Sequence, residues 1–443
     1  MTMHKAQLSA VHSPLDKVPP GYKRTEVGVI PDDWDVTSLG DIGKFSKGKG
    51  IKRDDVSDEG VACIRYGELY TRYNNYVLKP VSHIPPSVAA TAFPIMQGDL
   101  LFAGSGETAE EIGKCVAYLS EEEAYAGGDI VLLRPSGHNS LYLGHLLNHD
   151  VVAKQKARFG QGDAVVHISA RNLAMVKLPL PPEKDEQDAI AGTLSDVDGL
   201  IGALDKLITK KRAIKQAAMQ QLLTGKTRLP EFSGKWETKQ LGELIHLIPS
   251  GIYGLERQTE SLVGMPVATT AHIDSTDSWN DKKVGVRYFT ESQVAHYAPS
   301  EGDLIVVKSS GSAASIQSGK IGFVSGDKIG SFIFSNFLML LRPVACNARF
   351  LFFQLISGRV KRMLPHLVEA STYPNIRIND YLEIQIPLPP AEEQAAIATV
   401  LSDMDAEIAA LERRRDKTKA IKQGIIQALL TGRVRLVKPG VKG

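Results

Sequence analysis

Several short stretches of this chain carry residue types that perform chemistry in other settings. Glu237-Thr238-Lys239 has the carboxylate-x-lysine spacing of a nuclease metal site. Such a site needs a further acidic residue on a neighbouring strand to hold a divalent ion. No clear candidate precedes it, and the corresponding Asp35-Val36-Thr37 lacks the lysine. Gly225-Lys226-Thr227 has the end of a phosphate-binding loop. That loop requires a glycine five positions earlier and a strand before it; here Gln220 stands at that position, inside a helical pattern. Gly104-Ser105-Gly106 is a lone glycine loop. Thr372-Tyr373-Pro374-Asn375 is only faintly like the adenine-methyltransferase motif, in which Asn or Asp precedes Pro-Pro, and no glycine-rich cofactor loop accompanies it. The 11 histidines form no HxxxH or HExxH pattern. The expectation is a chain with no catalytic residue, no metal site and no bound cofactor.

Binding chemistry is better represented. Lys44, Lys47, Lys49, Lys52 and Arg53 form a basic, glycine-broken loop. Such a loop suits a phosphate backbone, and equally a solvated surface. Lys308, Ser309 and Ser310 follow a strand-like run, with Lys320 further on. Short polar side chains beside a lysine fit contacts to phosphates and base edges. Arg158, Gln161 and His167 correspond in position to the stretch that ends in Tyr373 and Asn375. These residues are the candidate DNA contacts.

The elements that must position them come in duplicate. Residues 178–229, from Leu-Pro-Leu-Pro-Pro to Thr-Gly-Lys-Thr-Arg-Leu, match residues 386–436 at roughly half their positions. Gln187 pairs with Gln394, Leu194 with Leu401, Ile214 with Ile421 and Leu223 with Leu430. Weaker matches precede them: Trp34…Leu39-Gly40 with Trp236…Leu241-Gly242, Gly98-Asp99-Leu100-Leu101 with Gly302-Asp303-Leu304-Ile305, and Leu132-Leu133-Arg134-Pro135 with Leu340-Leu341-Arg342-Pro343. The repeating unit is about 200 residues, a whole domain plus a helix rather than a solenoid repeat.

Each similar segment reads as one long helix. Ile190, Leu194, Val197, Ile201, Leu204 and Ile208 alternate spacings of four and three, as do Ile397, Leu401, Met404, Ile408 and Leu411. This is the seam of a coiled coil. Pro181-Pro182 and Pro389-Pro390 stand before the helices, and Gly225 and Gly432 after them. Two similar seams in one chain predict an antiparallel pair; the alternative is that each helix lies on its own domain. At about 1.5 Å per residue a continuous helix would span roughly 60 Å. The basic runs Lys210-Lys211-Arg212 and Arg413, Arg414, Arg415 lie on these helices.

The variable segments read as mixed α/β (α+β) with short buried strands at Leu100–Phe102, Ile130–Leu133, Leu304–Val307 and Phe337–Leu341, closed by helical stretches at Leu141–Phe159 and Arg349–Leu364. The expected organisation is a flexible tail over 1–20, a globular domain over 21–182, a helix over 183–229, a second globular domain over 230–390, a second helix over 391–436 and a tail over 437–443. With 443 residues, 43% hydrophobic and 23% charged, the chain is globular and too long for one core. Three scattered cysteines, without a paired motif, fit a reducing cytoplasm. No apolar stretch reads as a signal segment or membrane span. The net charge of +2 says little about partners, because positive charge can be confined to one face.

The whole arrangement resembles the DNA-specificity subunits of type I restriction–modification systems. The resemblance rests on Gly21-Tyr22-Lys23…Glu26-Val27-Gly28-Val29-Ile30-Pro31…Trp34…Leu39-Gly40 and on two copies each of the Pro-Leu-Pro-Pro…Glu-Gln and Ile-Lys-Gln…Leu-Leu-Thr-Gly signatures. It implies two target-recognition domains, each reading a half-site of double-stranded DNA, and an antiparallel helical spacer that fixes the gap. It also implies two methyltransferase subunits that carry S-adenosylmethionine, and two motor-nuclease subunits that carry ATP and Mg. A single-chain restriction–methylation enzyme and a coiled-coil scaffold without DNA binding are the other readings.

Overall fold

The computed structural model describes residues 18–162, 165–280, 282, 285–312, 315–369 and 374–437. Tyr373 and most of both expected tails lie outside these residues. The chain divides into two compact units, one running to Ala203 and resuming at Arg415, the other spanning Leu204–Arg414. The first long helix, Lys184–Leu222, and the second, Ala391–Leu429, each contribute to both units. Each unit therefore holds one globular domain, the first half of one long helix and the second half of the other.

In the first domain the central sheet has the strand order Gly43–Lys47, Ile130–Pro135, Leu100–Ala103, Cys115–Tyr118, Tyr76–Val77. All neighbours are antiparallel except the last pair. The second domain repeats four of these strands in the same order, as Ile245–Ile248, Leu338–Pro343, Leu304–Val307 and Ile321–Phe323. The strands are unbroken apolar runs because both faces of the sheet are covered. Leu100, Phe102, Val131 and Leu133 join one core, while Leu101, Ala103, Ile130 and Leu132 join another on the opposite face. Leu304, Val306, Met339 and Leu341 against Ile305, Val307, Leu338 and Leu340 repeat the pattern.

The repeated Gly-Asp-Leu and Leu-Leu-Arg-Pro segments are two halves of one interaction. Arg134 donates two hydrogen bonds to the Asp99 carboxylate, at 2.7 and 2.8 Å. Arg342 does the same to Asp303 at 2.9 and 2.7 Å. The same carboxylates accept from the backbone N–H of Met96 and Ser300, closing the turn into the strand. Gly98 and Gly302 sit in those turns at φ +95° and +82°, where a side chain would be strained. The closing helical stretches are each two helices, not one. Ser140–Leu146 is followed by Asp150–Phe159, with His149 capping the second; Ala348–Ile356 is followed by Gly358–Leu367, with extended Ser357 between.

The heptad seam does two jobs. Ile190 and Leu194 are fully buried in the core of the first domain, together with Leu429 and Leu430 from the end of the second long helix. Ile397 and Leu401 occupy the second core with Leu222 and Leu223. Burying such side chains stabilises each seat by roughly 1.5–3 kcal/mol per residue. The start of each helix thus lies on its own domain. Beyond that point Leu204, Ile208 and Ile408 are buried and Val197, Ile201, Met404 and Leu411 half-buried. There the ion pairs Arg212–Glu412 and Lys215–Asp405, and Lys211–Glu407 at 2.6 Å, join the helices antiparallel within the second unit. In the first unit Asp198 meets Lys422 at 2.5 Å, in the same register.

The ends of the helices close each unit through a clasp. Arg435 forks onto Asp33 at 2.8 and 2.9 Å and onto Glu186, with Nη2 2.7 Å from Oε2. Glu186 is 2% exposed. Arg228 reaches the fully buried Glu393 at 2.6 Å in the other unit, and Trp236 Nε1 donates to the same carboxylate at 3.1 Å. Each arginine lies near a tryptophan ring, Arg435 at 5.8 Å from Trp34 and Arg228 at 5.5 Å from Trp236. Beside the glutamates, Gln187 and Gln394 accept from the backbone N–H of Asn139 and Asn347, at 3.0 and 2.8 Å. Gly225 and Gly432, at φ +69° and +67°, turn the chain from helix into clasp; a Cβ on Gly432 would lie 2.4 Å from Pro31 Cγ.

Candidate nucleic-acid interface

In the first domain the sheet strand Leu100–Ala103 runs on through Gly104 into Ser105–Gly106, which pairs antiparallel with Val166–His167. Both flanks of Ser105 are tight for a side chain: a Cβ on Gly104 would meet the Asp129 carbonyl at 2.9 Å, and one on Gly106 the Tyr70 hydroxyl at 2.8 Å. Ser105 Oγ lies 2.9 Å from His167 Nδ1. Gln161 and His167 exchange backbone hydrogen bonds of 3.0 and 2.8 Å. These residues line an open cleft of about 510 Å³ with Ser46, Lys47 and Ser169. Asp129, at its edge, also lines an adjoining cleft of about 360 Å³ with Arg53, Arg65, Tyr66 and Gly127-Gly128. Exposed cations, an exposed aromatic ring and polar groups thus share one furrow. That is the donor set for phosphate contacts and base edges.

The second domain builds the same place from other residues. Lys308 follows the strand Leu304–Val307, and its carbonyl accepts from Ile376 N–H at 3.0 Å, as the Gly104 carbonyl accepts from Ile168 N–H at 3.0 Å. Ser309 bridges to Asn375 in the position where Ser105 pairs with His167. Ser318 Oγ donates to the Pro374 carbonyl at 2.7 Å and accepts from Ser310 N–H at 3.1 Å, tying the loop. Burial lowers the Lys308 pKa, and its ammonium donates to the Pro249 carbonyl at 3.3 Å. A separate cleft of about 250 Å³ holds Tyr253, His272, Lys282 and Arg287, with Arg287 over the Tyr253 ring at 4.9 Å.

The structure therefore gathers Lys47, Gln161 and His167 in one cleft and Arg53 in the next, and it brings Ser309 to Asn375. The basic stretch is not simply a loop. Lys44 and Lys47 lie on the edge strand Gly43–Lys47, because that strand pairs with Ile130–Pro135. Lys44, Lys49 and Lys52 are exposed outside both clefts, as is Arg158 near the end of its helix. Lys320 is half-buried, and its carbonyl accepts from Val307 N–H at 2.8 Å. Ser105, Arg65, Tyr66 and Arg287 went unrecognised in the sequence. For Ser105 a signal existed in its two flanking glycines. The Glu237-Thr238-Lys239 stretch is an exposed-edge strand paired with Gln385–Leu388, and Lys239 pairs with Glu237 itself at 3.8 Å. Among the described residues no group of three His, Cys, Asp or Glu could hold a metal ion, and no described helix is long and apolar enough to cross a membrane.

The long helices carry a second repeated feature. In the first unit Asp198, Ile201, Lys419, Lys422, Gln423 and Ile426 line a cleft of about 560 Å³ against the globular domain. In the second unit the residues at the corresponding positions, Asp405, Ile408, Arg212, Lys215, Gln216 and Met219, line one of about 640 Å³. The walls from the globular domains differ: Lys114 and Lys156 in one, Trp279, Phe323 and Arg349 in the other.

Two domains of one framework, unlike in polar residues at the same edge and sharing two helices whose lining repeats, define a duplicated recognition module. The family model described as "Type I restriction modification DNA specificity domain" matches twice, over residues 31–215 and 233–422. The chain belongs to this family: it is a non-catalytic DNA-recognition subunit of a type I restriction–modification system, with two recognition domains. It is 25% identical over 433 residues to the type I restriction enzyme MjaVIII specificity subunit of Methanocaldococcus jannaschii, covering 92% of this chain and 94% of that one. To the putative MjaX specificity subunit of the same organism it is 27% identical over 440 residues, covering 94% and 97%. Its fold is similar to that of the type I restriction-modification S subunit of M. genitalium, with a TM-score of 0.57, 14% identity and coverage of 89% and 96%.

Proposed function

We propose that each recognition domain reads one half of an asymmetric, two-part DNA sequence, and that the paired helices fix the gap and dock methyltransferase subunits. The observation that supports this most is the shared backbone at the Ser105–His167 and Ser309–Asn375 edges, which carries different polar side chains in the two domains. Two unlike readers on one chain suit an asymmetric site, unlike the palindrome read by a homodimer. Two copies of one partner need two similar docking surfaces. The repeated helix linings of the two clefts, and the exposed Ile214 and Ile421 at corresponding positions, supply such surfaces. Arg413, Arg414 and Arg415 extend the polar face on one helix only. Adenine methylation is then the work of S-adenosylmethionine held by the partner, and restriction that of a motor-nuclease partner with ATP and Mg. This chain contributes the address.

The test is co-purification with a type I methyltransferase subunit followed by methylation mapping. Replacing residues 230–386 with the matching domain of a relative changes one half-site and leaves the other. Alteration of both half-sites, or methyl transfer by the chain alone, overturns the reading.

A further inference from the structure

We infer that positions 167 and 375 are the chief base-reading positions of the two recognition domains: His167, steadied by Ser105, for one half-site, and Asn375 for the other. The inference rests on the half-site reading above and gives it specific residues.

Key framework bonds are kept in both domains. Asp99 and Asp303, Arg134 and Arg342, Asn139 and Asn347, and Gln187 and Gln394 are the same types making the same bonds. At the strand edge the backbone is equally preserved. Ile168 and Ile376 donate to the carbonyls of residues 104 and 308 at 3.0 Å each, and Ser105 and Ser309 face residues 167 and 375. Yet the side chains there diverge: Gly104 against Lys308, Gly106 against Ser310, His167 against Asn375, Ser169 against Arg377. A shared backbone needs no such difference. A site that must recognise two different sequences does.

Each side chain keeps a polar group without a partner in its own domain. His167 is exposed, and its Nδ1 is engaged by Ser105 at 2.9 Å. No hydrogen bond among the described residues engages Nε2, so it presents one donor or one acceptor into the cleft. Asn375 is half-buried: its Oδ1 is enclosed without a hydrogen-bond partner, and no hydrogen bond among the described residues engages its Nδ2, so the amide offers one donor. A single donor at position 375 suits a base-edge acceptor in the major groove, and His167 likewise offers one group. Lys47, exposed in the cleft beside His167, is placed to hold the backbone of the duplex.

The experiment uses the full chain assembled with its methyltransferase and a library randomised across both half-sites. Wild-type complex gives a bipartite methylated sequence; its absence sinks the half-site reading itself. His167→Ala should relax one base position of one half-site, and Asn375→Ala one position of the other, each by on the order of 10-fold. His167→Asn and Asn375→His should shift the preferred base rather than lose it, which keeps the test decisive if an alanine variant assembles poorly. Wild-type preferences in all four variants overturn the inference. So does a uniform loss over every library sequence, the signature of a phosphate contact, or a change in the half-site of the unaltered domain.

Discussion

Replacing Arg435 with alanine should loosen the first unit and leave the second intact. The side chain forms four hydrogen bonds, two to Asp33 and two to Glu186, and is 17% exposed. The contact with Glu186 is the costly one to break, because that carboxylate is 2% exposed and would be left buried without a counter-charge. Removing one partner of such a pair costs about 3–5 kcal/mol, much of it the unpaired charge. For a unit of this size that lowers Tm by roughly 10 °C. Two-step calorimetry, with hydrogen exchange to assign the steps, reads the change. Peptides around Asp33, Glu186 and Leu429 should lose protection while those around Trp236 and Glu393 keep it. Arg228→Ala should give the converse, since Arg228 clasps Glu393 in the other unit. Adding Glu186→Gln to Arg435→Ala should restore part of the loss by removing the stranded charge. A shift below about 2 °C, equal loosening of both units, or no rescue by the glutamine would refute the clasp as the closing element.

Two further outcomes follow from the helix register and from buried histidine. Asp198–Lys422 and Lys215–Asp405 share one antiparallel register, so an insertion in one helix alone takes one of these pairs out of line. Four helix-forming residues added to both helices, after Ala203 and after Arg414, add about 6 Å. The methylated sequence should then gain one or two unspecified base pairs at about 3.4 Å per step; an unchanged gap in an active variant rules out the ruler. Burial pushes the His145 pKa down to about 4, with the Lys422 charge acting the same way. The unfolded chain therefore takes up a proton between pH 6.5 and 4 that the folded one refuses, and stability falls through that window by up to roughly 3 kcal/mol. His145→Gln should flatten the Tm profile of the first unit between these values, and an equally steep profile contradicts the assignment.

The duplicated plan was plain in the sequence because its signal is local: apolar residues four and three apart, proline before, glycine after. The bonds that make the plan fold were not. Asp99 and Arg134 stood out as matching words in the two repeats, but nothing local says that one receives the other across adjacent strands. Glu186 and Arg435 lie 249 positions apart. Their repetition as Glu393 and Arg228 was the available clue, and only a fold turns a recurring Arg-Leu ending into a partner for a recurring Glu-Gln beginning. The heptad pattern concealed a division of labour, since Ile190 and Leu204 look alike in spacing while one seats a domain and the other lies where helices run side by side. For the interface, charge drew attention to Lys44 through Arg53, whereas the cleft is organised by Ser105 and His167, separated by 62 positions and joined by strand pairing.

The closure of each unit by a distant segment reverses the order in which the protein can mature on the ribosome. The first recognition domain emerges first, but its core includes Leu429 and Leu430, and its clasp is Arg435. The second unit is complete once Arg414 has appeared. At about 5–20 residues per second, the earlier domain waits on the order of ten seconds or more after Ala203 for the residues that cover its helix seat. During that wait Ile190 and Leu194 lack part of their cover, the kind of apolar surface that invites chaperones or mispairing with a second nascent chain. The domain made first is the domain finished last.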